Sequence, residues 1–185
     1  MRIIRGKLKS RRLTVPKGFT SRPTTNFSKE GLFNIIDNRM DLDDKVILDL
    51  CSGTGNISLE FVSGGVKSVV AVDQNFKCVK FLQNLAKELD IENELTVLKS
   101  EVLQFLKHTE MKFDVIFADP PYDLDIHQKI VDAVFERNLL NEDGWLIVEH
   151  SRNTVLLNNP GYQFERKYGS VQFSFLQESL PSQDK

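Results

Sequence analysis

Short apolar runs alternate with amphipathic segments along most of the chain from residue 46 onward. The apolar runs predict buried strands, at 46–50, 68–72, 95–98, 113–118 and 144–149. The segments between them carry apolar side chains at helical spacing and predict helices, over 56–63, 75–90, 101–107 and 126–137. Two last runs, 162–167 and 171–176, flank Gly169 and predict an antiparallel hairpin. This alternation favours an α/β fold, with about seven strands in a mostly parallel sheet covered by helices on both faces.

The N-terminal segment follows a different pattern. Residues 2–15 alternate basic and apolar side chains around Gly6 and Ser10, which predicts a small solvent-facing β-hairpin, and residues 27–36 predict a leading helix. A length of 185 residues suits one domain with an appended arm. We therefore expect a basic hairpin arm, a main domain and a polar tail, over 1–25, 26–178 and 179–185.

Composition narrows the class of protein. Hydrophobic residues make up 41% and charged residues 27%, which are globular proportions and argue against a disordered chain. No apolar run approaches the roughly 18 to 20 residues of a transmembrane helix, and the charged N-terminus lacks the apolar run of a secretory signal. We expect a cytoplasmic protein. The two cysteines and three histidines show no metal-ligand spacing, so we expect no metal site.

The net charge of -2 hides a strong asymmetry along the chain. Positions 1–29 hold nine basic residues and no acid: Arg2, Arg5, Lys7, Lys9, Arg11, Arg12, Lys17, Arg22 and Lys29. The rest of the chain holds the other 15 of the 24 basic residues and all 26 acidic ones. A solvated charged face is the simplest interpretation of such a run. Nine cations without an acid favour a polyanionic partner instead, whose phosphates lysine and arginine bind without regard to sequence.

The first candidate site is the segment 49–55, DLCSGTG, directly after the first predicted strand. Its glycines allow a tight turn and a close approach to a ligand, and Asp73 ends the next strand, where a carboxylate can bind ribose hydroxyls. A plain turn with a capping aspartate is the alternative. A dinucleotide fits less well, because Ser58 occupies the position of the third glycine in GxGxxG. The acid at Asp49 would repel a pyrophosphate and attract the cationic S-adenosylmethionine.

The second candidate site is the segment Asp119-Pro120-Pro121-Tyr122, which ends the fourth predicted strand. An exocyclic amine on a base is a poor nucleophile because its lone pair is delocalised into the ring. Hydrogen bonds to the Asp119 carboxylate and the Pro120 carbonyl would direct that lone pair at an incoming methyl group, and Tyr122 would stack on the base. A rigid turn that ends the strand is the alternative.

With both motifs the chain resembles a Rossmann-like, class I S-adenosylmethionine-dependent methyltransferase. Further segments resemble the RsmD family, which methylates guanine N2 in 16S ribosomal RNA of the small subunit. They are MRIIRGKLKSRRLTVPKG at 1–18, SRPTT at 21–25, KEGLFN at 29–34, DPPY at 119–122, GWLIVEHS at 144–151 and Tyr168-Gly169. The resemblance covers roughly residues 1–176.

The resemblance implies roles for individual residues. The cofactor, S-adenosylmethionine, would be bound by Asp49, Ser52, Gly53, Gly55, Asp73 and Glu101. Glu101 would bond the adenine amino group, although an acid favoured at a helix N-terminus explains it equally well. The target guanine would be held by Asp119, Pro120, Pro121 and Tyr122. Ribosomal RNA would be bound by Arg2, Arg5, Lys7, Lys9, Arg11, Arg12 and Arg22. The family pattern also implies a monomer whose partner is the small ribosomal subunit or an assembly intermediate, with no membrane contact.

Two other functions are compatible with the same residues. An N6-adenine methyltransferase acting on DNA or another RNA would use the same four-residue motif, because both reactions methylate an exocyclic amine. A non-catalytic RNA-binding assembly factor could keep the fold without the reaction. The joint presence of the residues of both motifs argues against that last function; they are Asp49, Gly53, Gly55, Asp73, Asp119 and Tyr122.

Overall fold

The computed structural model describes residues 1–16, 19, 25–121 and 126–178. In this part of the chain five helices and seven strands follow one another in the order α1 (Asn26–Asp37), β1 (Val46–Leu50), α2 (Ser58–Ser63), β2 (Ser68–Asp73), α3 (Phe76–Glu88), β3 (Leu95–Lys99), α4 (Val102–His108), β4 (Phe113–Ala118), α5 (His127–Glu136), β5 (Leu140–His150), β6 (Tyr162–Tyr168) and β7 (Val171–Leu176). Within these residues no helix is long and apolar enough to cross a bilayer.

All seven strands join one sheet, in the order β3-β2-β1-β4-β5-β7-β6. Strands β1 to β5 run parallel, and β7 runs antiparallel to both of its neighbours. This arrangement confirms the predicted Rossmann-like α/β fold with its antiparallel C-terminal hairpin. Strand β5 begins four residues before the predicted start, because Leu140 pairs with Phe113 across an irregularity in the β4–β5 register.

The sheet is covered on both faces, and alternate residues of each strand serve opposite cores. Along β1, Ile47 packs in one core with side chains of α1, α2 and α3, while Leu48 and Leu50 pack in the other with α4 and α5. Burial on both faces explains why these strands have continuous apolar sequences. Because β1, β2 and β4 run parallel, their carboxyl ends lie at the same edge of the sheet.

The N-terminal segment forms a small hairpin that is docked on the main domain. Arg2 and Arg12 form an antiparallel bridge, and the apolar side chains of Ile3 and Leu8 are buried in the core. Gly6 lies so close to α2 that a Cβ there would be 1.6 Å from the Ser63 carbonyl oxygen. The predicted hairpin is thus present, but only its basic side faces solvent.

A buried ion pair connects this hairpin to two helices. The side chains of Lys29 in α1 and Glu60 in α2 are fully buried, and their Nζ and Oε1 atoms are 2.6 Å apart. Lys29 Nζ also donates to the Arg2 carbonyl oxygen at 2.7 Å and to Asn56 Oδ1 at 2.9 Å. The Ile4 backbone N–H donates to Glu60 at 3.0 Å. The hairpin, α1 and the loop after β1 therefore share one polar network.

Candidate active site

The loop after β1 has an unusual backbone. Cys51, Gly53 and Gly55 have φ angles of 59°, 55° and 79°, so three of its residues lie in the left-handed region. A Cβ at Gly55 would be 2.3 Å from a methyl group of buried Leu82, so only glycine fits there. The Gly55 N–H donates to the Ser52 carbonyl oxygen at 2.8 Å and closes the turn, and the Ser52 N–H donates to the Val72 carbonyl oxygen of β2 at 3.1 Å. These bonds hold the turn at the carboxyl edge of the sheet.

Asp73, the last residue of β2, stabilises this loop through hydrogen bonds. One of its carboxylate oxygens accepts a hydrogen bond from the Gly53 N–H at 2.8 Å, and the other accepts one from the Asn75 N–H at 2.7 Å. The aspartate therefore connects the loops after β1 and β2, whereas the N-terminus of α3 is capped by Asn75. Each carboxylate oxygen keeps a further lone pair, which leaves capacity for ligand hydroxyls.

Asp49 is buried inside the same site. Its Oδ2 accepts a hydrogen bond from the Ser58 hydroxyl. Burial raises the pKa of Asp49 to about 7; the Ser58 hydrogen bonds lower it and nearby Asp73 raises it further, but burial dominates. The carboxyl group is thus close to its ionisation midpoint at neutral pH.

Glu101 lies at the N-terminus of α4, after β3. Its two carboxylate oxygens accept hydrogen bonds from the Leu103 and Gln104 N–H groups, at 3.1 and 2.8 Å. The helix-capping interpretation of this residue is therefore realised in the structure. Its place at the carboxyl edge still leaves it near the other acids.

Asp119 follows β4, and its N–H donates to the Leu50 carbonyl oxygen at 3.3 Å. The second motif therefore lies directly beside the loop after β1. Burial raises the pKa of Asp119 well above its usual range, and the charges of Glu149 and Asp49 raise it further. Pro120 is buried and Pro121 exposed, while Tyr122 lies outside the described residues.

The electric fields of four acidic residues, each from a different element, act together on the Cys51 thiol. After burial, the charges of Asp73, Asp119, Asp49 and Glu101 raise the pKa of the Cys51 thiol. The structure thus brings together acids that are up to 70 positions apart in the chain. Such a concentration of carboxyl groups suits a cationic ligand, which favours their ionised forms, and opposes a pyrophosphate.

Two residues of this site do not follow from the sequence motifs alone. Ser58 binds Asp49, although the sequence presents it only as a missing glycine. Glu149 is buried near the end of β5, the strand beside β4, and contributes to the field at Asp119. An acid at the end of a buried strand is the feature that singles out Asp49, Asp73 and Asp119, and the same rule applied to β5 would have found Glu149.

The basic residues of the hairpin fall into two groups. Arg5 pairs with Asp37 at 2.8 Å and lies over the Phe33 ring, and Lys7 pairs with Glu94. These two cations have partners within the protein. The other described candidates are exposed, namely Arg2, Lys9, Arg11 and Arg12. Arg22 lies outside the described residues.

Comparison with known proteins gives the family. The model of the family described as "Conserved hypothetical protein 95", which is the RsmD family, matches residues 1–177. The chain belongs to the RsmD family. A member from Bacillus subtilis (strain 168), named "Putative rRNA methyltransferase YlbH", is 32% identical over 87% of this chain and 88% of its own. "Ribosomal RNA small subunit methyltransferase D" of Buchnera aphidicola subsp. Baizongia pistaciae is 29% identical over 86% of this chain and 81% of its own.

A solved structure shows the same fold. The Escherichia coli protein yhhF superposes with a TM-score of 0.85 at 23% identity, covering 97% of this chain and 99% of that one. The fold therefore extends over essentially the whole length of both proteins. The family predicted from the sequence is confirmed.

Proposed function

We propose that this chain transfers a methyl group from S-adenosylmethionine to the exocyclic N2 amine of a guanine in 16S ribosomal RNA. The observation that carries the proposal is the convergence of the glycine turn, four acids and the Asp119-Pro120 segment at one edge of the sheet. The names of RsmD-family relatives support ribosomal RNA of the small subunit as the substrate. N2 of guanine as the acceptor rests on the family resemblance.

The charge of the site and the backbone of its glycine turn support this choice of cofactor. S-adenosylmethionine supplies an activated methyl group on a cationic sulfur. Asp49 and the surrounding acids would stabilise its positive charges, and the left-handed turn at Gly53 and Gly55 allows a close approach. Ser52 Oγ is buried and makes no hydrogen bond to any described residue, which suits a donor or acceptor on the ligand. Asp73 would bind the ribose and Glu101 the adenine.

Asp119 would act on the base. Its carboxylate and the Pro120 carbonyl would each accept a hydrogen bond from the NH2 group, which turns the nitrogen lone pair out of the ring plane. Positive charge grows on that nitrogen during transfer, and the carboxylate stabilises it. Tyr122 would stack on the flipped base. The proton that leaves the amine can pass to the Asp119 carboxylate, because burial raises the pKa of that group and so makes the carboxylate a stronger base.

The test is methyl transfer from labelled S-adenosylmethionine to small ribosomal subunits that lack the modification, with naked 16S RNA and DNA in parallel. N2-methylguanosine in the hydrolysed RNA is the expected product. Detection of N6-methyladenine would contradict guanine N2 as the acceptor and show that adenine N6 is methylated instead. No transfer to small subunits, naked RNA or DNA would refute the proposed activity.

A matched pair of variants tests the role of Asp119. We expect Asp119→Asn to lower kcat about 100- to 1000-fold, with cofactor affinity nearly unchanged because the side chain acts on the base. Asp132→Asn, a change of the same kind on the exposed side of α5, should leave kcat unchanged. Equal rates for the two variants would remove Asp119 from the mechanism.

We also propose that the enzyme works as a cytoplasmic monomer, as the family pattern implies. Light scattering after size-exclusion chromatography should give a mass near 21.2 kDa. A mass of twice this value would contradict the monomer.

A further inference from the structure

The most exposed large apolar side chain of the described residues lies on the same edge of the sheet as Asp119. Phe27, in the first turn of α1, is 70% exposed. Its ring meets that of Tyr168, the last residue of β6, edge to face with centroids 5.7 Å apart. We call these two rings the aromatic shelf. Single exposed apolar side chains are common on protein surfaces, so it is the pairing of this ring with a second one that points to a contact surface.

Gly31 fixes the position of the shelf. A Cβ at Gly31 would be 2.2 Å from two atoms of the Tyr168 ring, so only glycine lets this ring lie against α1. The helix and the end of β6 enclose a groove of about 330 Å³ beside the two rings, lined also by Glu30, Asn34 and Ile35. The shelf is therefore built by close packing between two elements.

Strand register relates the shelf to the proposed catalytic site. Lys167 pairs with Gln172, and Gln172 pairs with His150 at the end of β5, so these residues form one row across the sheet. Strand β6 thus ends at the same edge as β4 and β5. Three strand spacings of about 4.8 Å separate β4 from β6, so the shelf lies about 14 Å from Asp119 along this edge.

Cations flank the shelf. The Arg152 guanidinium, just beyond β5, donates to the Gly169 carbonyl oxygen at 3.0 Å and so is held between the catalytic edge and Tyr168. Lys167, which precedes Tyr168 in β6, points to the other face of the sheet and pairs with Glu165 at 3.2 Å, so it is not part of this surface. On the other side of α1, Arg2 belongs to the basic hairpin, and its carbonyl oxygen is bound by Lys29 of that helix. Exposed rings with guanidinium groups beside them are what unpaired nucleic acid binds, by stacking and by phosphate contacts.

We infer that the aromatic shelf binds an unpaired RNA base a few nucleotides away from the one that is methylated. This inference rests on the proposed function, because it takes RNA as the substrate. At about 3.4 Å for each stacked nucleotide, a distance of about 14 Å corresponds to about four nucleotides, or fewer in an extended strand. The shelf would then fix the strand on one side of Asp119 while the basic hairpin binds phosphates on the other.

The experiment compares Phe27→Ala, Phe27→Trp and Met111→Ala. Met111 is 46% exposed and lies just before β4, at the opposite edge of the sheet, so it controls for loss of an exposed apolar side chain. Each variant is tested for KM and kcat with small subunits that lack the modification. Affinity for a fluorescent single-stranded 12-nucleotide RNA and for S-adenosylmethionine is measured on the same preparations.

We expect Phe27→Ala to weaken RNA affinity and raise KM about five- to one-hundredfold, with kcat and cofactor affinity nearly unchanged. Phe27→Trp should restore binding, because the larger ring stacks at least as well, and Met111→Ala should match the wild type. If Phe27→Ala has the RNA affinity and KM of the wild type, the proposed function is unaffected but the proposed role of the aromatic shelf is wrong. A raised KM for subunits with unchanged affinity for the 12-mer would also overturn it, since the shelf would then contact a ribosomal protein. If the wild type binds RNA without methylating it, the proposed function fails, and the RNA affinities alone decide on the shelf.

Discussion

Removing the charge of Lys29 tests the network that fastens the hairpin to the main domain. In Lys29→Met the side chain keeps nearly its length but loses the ammonium group. Glu60 would then remain fully buried, with the Ile4 N–H still donating to it at 3.0 Å. Breaking a buried ion pair from one side costs about 3 to 5 kcal/mol, because the partner's charge stays in a medium that solvates it poorly. Since domains of this size are stable by about 5 to 15 kcal/mol, the loss would be a large part of the total.

The double variant Lys29→Met/Glu60→Gln separates this electrostatic cost from the loss of hydrogen bonds. Both charges are gone, and the glutamine can still accept from the Ile4 N–H. The carbonyl oxygen of Arg2 loses its donor, which costs about 1 to 3 kcal/mol. We therefore expect the double variant to be more stable than Lys29→Met alone.

Urea unfolding followed by the fluorescence of Trp145, the single tryptophan, measures these free energies. Trp145 packs against Phe164 and Phe175, so its emission reports the folded sheet. An unfolding free energy of Lys29→Met within about 1 kcal/mol of the wild type would refute the reasoning, given the expected cost. The single variant Glu60→Gln completes the cycle. A double variant whose loss of unfolding free energy equals the sum of the losses of Lys29→Met and Glu60→Gln would also refute the reasoning, because the two side chains would then have no coupling.

Three further predictions concern the loop after β1 and the hairpin. Because burial holds the pKa of Asp49 at about 7, and a cationic ligand favours the carboxylate, S-adenosylmethionine affinity should rise from pH 6 to pH 8. Calorimetry in buffers of different ionisation enthalpy should show that protons are released when S-adenosylmethionine binds, and that fewer are released when S-adenosylhomocysteine binds. An affinity that does not depend on pH would contradict the role of Asp49. Gly55→Ala should lower the unfolding free energy by about 1 to 2 kcal/mol and weaken cofactor binding, whereas equal melting curves and affinities would show that the loop adapts. Reversing the four exposed hairpin cations should weaken RNA binding and reduce its salt slope by about 0.7 for each phosphate that the hairpin no longer neutralises; an unchanged slope would place the RNA elsewhere. These cations are Arg2, Lys9, Arg11 and Arg12.

Most of the fold could be predicted from the sequence because its strands are buried on both faces and therefore appear as continuous apolar runs. The start of β5 was missed, since residues 141–143 (NED) are polar and only pairing with β4 makes them extended. The position of β7 between β5 and β6 has no local pattern, because it depends on pairings between distant segments. Sequence periodicity determines the elements, and tertiary interactions determine their order.

The candidate site divides in the same way. Acids at strand ends could be found from the sequence, because parallel strands bring their carboxyl ends to one edge. The effect of Ser58 on Asp49 could not, since it depends on a hydrogen bond made after the loop has turned. The docking of the hairpin was also hidden, because Ile3 and Leu8 stand among basic residues and meet their core only in the folded chain.

The interior position of β7 has a consequence for biosynthesis. Strand β6 cannot join the sheet until β7, which ends at Leu176, has left the ribosome, because in the described sheet β7 lies between β6 and β5. Until then the outer side of β5, eleven residues long, presents unpaired backbone groups of the kind that recruit other strands. Completion of the sheet therefore depends on a strand that is synthesised after both of its partners, and the unpaired edge of β5 favours association with other strands until β7 is added.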